Sequence, residues 1–156
     1  YEDESIPIEE VTGCYAMMKL AVEGLVRKNC DNYIIIRPGM LLGPYMRENN
    51  IKRTLGLSNK PLTLSGDSSF NFTSYADIKK VIMYSIKNKI RGTFNVVSSN
   101  EVSLCDLANK YNPSVEFGKY TYITPHVSNE KIINIIPNVL RGSMDCVESY
   151  INNDKN

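Results

Sequence analysis

Tyr15 and Lys19 stand four residues apart in Tyr15-Ala-Met-Met-Lys19. On a helix that spacing puts a phenol and an ammonium on one face. A phenol ordinarily titrates near ~10, so it is a poor acid or base at neutral pH. A cation held against it favours the phenolate and brings proton exchange into the working range. The pair therefore suits moving a proton to or from a hydroxyl or carbonyl while a hydride moves elsewhere. The competing reading is a solvated helix face, because Y-x-x-x-K arises by chance in many helices.

The elements that must position this pair are readable from periodicity and punctuation. Residues 15–29 predict a helix with Tyr15, Lys19, Val22 and Val26 in one stripe, Met18 and Leu25 beside it. Gly24 inside that helix costs about 1 kcal/mol relative to alanine, which predicts close packing against a neighbour. Residues 1–13 before it read as a polar loop. Tyr33-Ile-Ile-Ile36 predicts a strand buried on both faces, as in a parallel sheet covered by helices. Arg37-Pro38-Gly39 closes it, and ligands of open α/β sheets collect beyond such carboxyl ends.

Residues 40–65 predict a loop, a helical stretch over 49–57 and a short strand over 62–64. Ser74-Tyr-Ala-Asp77 and Ser103-Leu-Cys-Asp106 read as helix caps. The first opens a helix with Ile78, Val81, Ile82 and Ile86 inward, followed by a strand over 93–97. A further strand is expected within 116–123, then helices over 128–135 and 143–151 and a fraying end. The fold class is α/β. An apolar strand over 33–36 or 93–97 with an unpaired edge is an association hazard.

Composition narrows the function. The 156 residues suffice for one core, and the formal charge of +1 leaves no basic footprint for nucleic acid. The four cysteines, Cys14, Cys30, Cys105 and Cys146, form no C-x-x-C pair, and His126 is the single histidine. No metal site is expected, and reduced thiols in a cytoplasmic protein are. No apolar run approaches a membrane span.

The ordered set of motifs is more specific than any one of them. It runs through Tyr1-Glu-Asp-Glu-Ser-Ile-Pro7, the Tyr15/Lys19 pair, Tyr33-Ile-Ile-Ile-Arg-Pro-Gly39 and Leu42-Gly-Pro44. It continues through Pro61-Leu-Thr-Leu-Ser-Gly-Asp67, Tyr75-Ala-Asp-Ile78, Gly92-Thr-Phe-Asn-Val96 and Val102-Ser-Leu-Cys-Asp-Leu107. In this order the chain resembles the extended short-chain dehydrogenase/reductase family, in its NAD-dependent epimerase/dehydratase branch.

The resemblance implies a single incomplete domain over 1–156. This would be the C-terminal part of a Rossmann-like NAD(P)-binding fold with a small mixed substrate-binding lobe. It implies Tyr15 as the acid/base and Lys19 as the support of its phenolate and of the nicotinamide ribose. Pro38, Gly39 and Met40 would lie against the nicotinamide, and a plain strand-ending turn is the competing reading for them. Arg47, Asn50 and Phe70 are the substrate-side candidates. A basic residue such as Arg47 can pair with a diphosphate, against the alternative of a solvated loop. NAD or NADP is the implied cofactor and a nucleotide-linked sugar the implied substrate.

Departures from the family matter as well. None of the nine glycines makes the G-x-x-G-x-x-G turn that receives the cofactor pyrophosphate. Phe70 stands where many sugar-nucleotide enzymes carry an arginine, and Thr124-Pro-His126 where a second is expected. Epimerase, dehydratase and reductase all stay open, as do the sugar and NAD against NADP. By itself the chain is expected to be inactive, its open edges suited to a second copy or to a matching N-terminal half. The rival from another class is a noncatalytic binding or assembly module.

Overall fold

The computed structural model describes Val11 and residues 13–153. Tyr1 and Ser5 of the motif series, and most of the expected leading loop, lie outside the described residues. The described residues form six helices and six short strands in an α/β arrangement. Helix α1 (Cys14–Asn29) leads into strand β1 (Ile34–Pro38), and β2 (Met40–Leu42) follows after a single residue. Helix α2 (Asn50–Thr54), strands β3 (Ser69–Phe70) and β4 (Phe72–Ser74), and helix α3 (Tyr75–Asn88) come next. Strands β5 (Gly92–Val96) and β6 (Val102–Ser103) precede helices α4 (Leu104–Tyr111), α5 (Glu130–Ile135) and α6 (Ser143–Asn153).

Two strand segments change partners midway, and that is how the fold is built. Residues 34–42 pair in parallel first with β5, Ile34 opposite Gly92 through Pro38 opposite Val96. After Gly39 they pair in parallel with β4, Met40 opposite Phe72. Residues 69–74 do the same: β3 pairs antiparallel with β6, and β4 turns to β2. The two switch points, Gly39 and Asn71, lie against each other. Met40 N donates to Asn71 O at 2.8 Å, and Gly39 N reaches Val96 O at 3.4 Å and Thr73 Oγ1 at 3.1 Å. Thr73 Oγ1 in turn donates to Val96 O at 2.6 Å, so one buried hydroxyl joins the two sheets. A Cβ on Gly39 would stand 2.7 Å from the Asn71 carbonyl oxygen, which is why glycine occupies this position.

Two apolar clusters pack against these sheets, one on β1 and β5 and one shared by β2, β4, β3 and β6. Phe94 and Val96 of β5 meet Val81 of α3 and Ile132 of α5 on one side. Leu42, Phe70, Phe72 and Leu104 centre the other, closed by Val147 and Tyr150 of α6. Ser103 caps α4 in a reciprocal box with Asp106. Ser74 caps α3 differently. Its Oγ accepts from Asp77 N and donates to Asp77 Oδ2, and the carboxylate also receives Arg141 Nε at 3.2 Å. The Asp77 carboxylate is buried, so this group ties β4, α3 and the approach to α6 together. All four cysteines are free thiols; burial pushes the Cys146 thiol up, while the other three are exposed.

Several expectations are corrected. Residues 62–64 and 116–123 form no strand; they are held by single bridges, Leu64 to Tyr120 and Ser69 to Ile123. Residue preference for strands does not suffice there, where only isolated residues find a partner. The helical stretch over 49–57 contracts to α2, because Gly56 at φ 72 cannot continue it. Ile82 and Ile86 are exposed; the inward stripe of α3 is narrower, with Val81 and Ser85 buried and Ile78 half-buried. Gly24 packs closely against nothing: a Cβ there meets no atom within 4 Å among the described residues.

Candidate active site

Helix α1 holds the Tyr15/Lys19 pair, and polar side chains rather than a core fix it to the sheet. None of its residues is buried. Arg27 donates to Thr93 Oγ1 of β5 at 3.1 Å. One turn earlier Glu23 accepts from Arg37 of β1 through Nε at 2.9 Å and a second guanidinium nitrogen at 2.7 Å. Four helical residues advance about 6 Å and two strand residues about 6.6 Å, so these contacts march in step toward the strand's carboxyl end. Lys19 lies one further turn along α1 in that direction. Lys19 Nζ lies 5.5 Å from the centroid of the Tyr15 ring, and Tyr15 is 72% exposed.

The Arg37 guanidinium holds the Glu23 carboxyl below its ordinary 4.5, chiefly through the direct hydrogen bond. A carboxylate depressed by folding adds stability above its unfolded pKa, and that stability is lost as pH falls through the folded value. Glu23→Gln is therefore expected to be less stable than the parent above about 4.5, the two converging in acid. Urea midpoints measured across pH check this; parallel curves at all pH values would exclude a pH-dependent contribution from the pair.

Beyond the β1 end opens a cavity of about 680 Å³. Pro38, Gly39 and Met40 line it, as do Asn50 at the start of α2 and Phe70, so five of the expected site residues meet in one wall system. Arg47 does not line it and is exposed. Tyr15 and Lys19 do not line it either. Phe70 is buried in the core cluster and also faces the cavity, its ring stacked on Tyr122 with centroids 5.2 Å apart. Asn50 Oδ1 is engaged by Thr63, accepting from N at 3.2 Å and Oγ1 at 3.0 Å.

Three contributors escaped the sequence reading. Tyr122 reaches the cavity from a segment more than fifty positions beyond Phe70, and no local pattern announces it. Glu23 follows Lys19 by one further helical turn, a spacing that did signal a shared face. Asn71 sits between two aromatic residues in Phe70-Asn-Phe72, a polar break in an apolar run. Its Nδ2 donates to Ser98 O at 2.6 Å and Asn100 O at 3.4 Å, while its buried Oδ1 has no protein partner. His126 lies in an irregular segment beside a smaller polar pocket with Glu101 and Asn71.

No family model matches the chain, and neither does any of the curated proteins compared with it. Solved structures do. A dTDP-4-dehydrorhamnose reductase from Clostridium acetobutylicum superposes with a TM-score of 0.68 at 20% identity, over 99% of this chain and 62% of that one. A UDP-glucuronic acid 4-epimerase from Bacillus cereus, in complex with UDP-glucuronic acid and NAD, gives 0.68 at 20%, over 97% and 57%. A dTDP-4-dehydrorhamnose reductase from Bacillus anthracis, in complex with NADP, gives 0.69 at 20%, over 89% and 54%.

The chain has a partial Rossmann-like α/β fold. It shares that fold with NAD(P)-binding epimerases and reductases and spans between about half and two thirds of their length. Among the described residues no helix is long and apolar enough to cross a membrane, and no group of His, Cys, Asp and Glu is placed to hold a metal.

Proposed function

We propose that this chain is the substrate-side, C-terminal portion of an NAD(P)-dependent nucleotide-sugar epimerase, dehydratase or reductase. Residues 1–156 would form one incomplete domain, with the cofactor pyrophosphate held by a portion of the protein beyond them. Tyr15 relays the proton, and Lys19 supports both the phenol and the ribose diol. Pro38, Gly39 and Met40 border the nicotinamide through their backbone, and a hydroxyl or carbonyl carbon of the substrate exchanges hydride with that ring. The protein acts in the cytoplasm.

The observation that carries this reading is the Arg37–Glu23 pair. It fixes the Tyr15/Lys19 helix in step with the strand whose carboxyl end opens directly into the cavity. Ligands of doubly wound sheets bind at such carboxyl ends. The likeness in fold to enzymes solved with NAD and NADP supports the cofactor.

One observation favours a noncatalytic binding module instead: the cavity is assembled without Tyr15 or Lys19 in its lining. Joining the chain to the N-terminal half of a nucleotide-sugar enzyme, and following nicotinamide absorbance with substrate, separates the two readings. Hydride transfer that this chain restores supports the enzyme. A joined protein that binds cofactor and substrate yet transfers no hydride supports the binding module. The 156-residue chain by itself is expected to bind NAD or NADP only weakly by calorimetry, because it has no glycine-rich turn for the pyrophosphate. Micromolar affinity would overturn that expectation.

A further inference from the structure

The cavity beyond β1 is almost without available charge. Arg37 is the one cation among the described residues that line it, and both oxygens of Glu23 occupy its guanidinium. Among the described residues no carboxylate lines it. The adjoining pocket, which shares Asn71 and Val127 with the cavity, adds Glu101 and Glu130 and, among the described residues, no lysine or arginine. Arg47 and Lys52 stand outside both linings. A phosphate moved into this cavity loses its hydration and meets, among the described residues, only the Arg37 cation that Glu23 already holds. The stacked pair of Phe70 and Tyr122, with Met40 and Leu64, instead offers apolar and aromatic surface to a ring.

One polar feature of the wall asks for a partner. Asn71 is 8% exposed, and its Nδ2 is committed to two backbone carbonyls. Its Oδ1 is buried with no donor from the protein. A buried acceptor in that condition is costly unless a ligand or water supplies the hydrogen. A hydroxyl or N–H on the ligand would satisfy it.

We propose that this cavity seats an uncharged ring bearing a hydrogen-bond donor, of the neutral glycoside class, and leaves any phosphate of the substrate outside it. The assignment rests on the reading of the cavity as the substrate site and narrows it. The moiety lodged here is neutral, and a substrate that needs its diphosphate held in this space does not fit.

Phenyl β-glucoside, glucose 1-phosphate and UDP are suitable probes, titrated into the full 156-residue chain without cofactor. Binding is read from the Gly39 and Met40 amide and Asn71 carboxamide NMR signals. The glucoside is expected to shift these signals at least about tenfold more tightly than either phosphate compound. Tyr122 is 47% exposed, so Tyr122→Arg places a guanidinium at the rim without burying it in the core. That variant is expected to reverse the preference toward glucose 1-phosphate. The proposal is overturned if UDP or the sugar phosphate binds the parent chain as well as the glucoside. It is overturned equally if no probe shifts those signals at millimolar concentration, or if Tyr122→Arg leaves the preference unchanged.

Because this assay needs no turnover, it separates the two readings. Glucoside binding together with a joined enzyme that transfers no hydride would sink the catalytic reading alone. Hydride transfer in the joined enzyme, with UDP bound in the cavity, would sink this proposal alone.

Discussion

Tyr15→Phe, placed in the chain joined to a matching N-terminal half, is expected to lower turnover by about 10²–10⁴-fold and leave substrate affinity nearly unchanged. The substitution removes one oxygen and keeps the ring that lies 5.5 Å from Lys19 Nζ, so helix packing is preserved and only the proton relay is lost. Tyr15 is exposed, and its replacement should leave the thermal midpoint of the isolated chain where it was. Lys19→Met should differ in kind. It should weaken cofactor binding and slow turnover together, since one ammonium serves the diol and the phenol. Steady-state kinetics with cofactor titration distinguish the two variants. Near-normal turnover in Tyr15→Phe would reduce the pair to a surface feature of α1.

The largest stability effect is expected at Asp77, far from any chemistry. Its carboxylate is 1% exposed and receives Arg141, the Ser74 hydroxyl and Lys80. Asp77→Ala leaves the Arg141 guanidinium with only the Ser74 hydroxyl and no counter-charge from Asp77, removes the carboxylate contact that orients the α3 cap and opens a small void. Breaking a buried pair from one side costs about 3–5 kcal/mol. For a domain of this size that is a large part of the whole margin against unfolding. Urea denaturation is the direct measurement. A double variant, Asp77→Ala with Arg141→Met, should recover part of the loss because no orphaned cation remains. An unchanged midpoint in the single variant would show that the pair holds nothing together.

Much of the architecture could be read from the chain, for identifiable reasons. The run Tyr33–Ile36 and the stretch behind Gly92 pair with each other in parallel, although β1 is half-buried rather than buried on both faces. The Ser74 and Ser103 signatures start helices where hydroxyls accept from backbone N–H groups. The short strands were not legible. Strands of two or three residues, such as Ser69–Phe70 and Val102–Ser103, are too brief to establish a period of two. Their existence is decided by which distant segment lies alongside. The exposed Ile82 and Ile86 misled for the opposite reason, since periodicity cannot say how wide a buried stripe will be.

The candidate site divides in the same way. Pro38, Gly39, Met40, Asn50 and Phe70 were legible because a strand end, a helix start and a departure from an expected arginine each mark them locally. Asn71 and Tyr122 become partners of one cavity only through the change of strand pairing. Arg47, a candidate phosphate contact from its sign and position against a solvated loop, is exposed and outside the lining.

The junction at Gly39 has a consequence for how a ligand is received. The peptide there is bonded on both sides of the switch, to Val96 O and Thr73 Oγ1, and the Thr73 hydroxyl bridges onward to the same carbonyl. The two sheets consequently cannot rotate about this point without breaking hydrogen bonds inside a buried space. That wall of the cavity stands in its final shape before anything enters. A ligand settling against Pro38–Met40 has little backbone entropy to remove, so discrimination at this end depends on complementarity with a fixed surface rather than on closure around the guest.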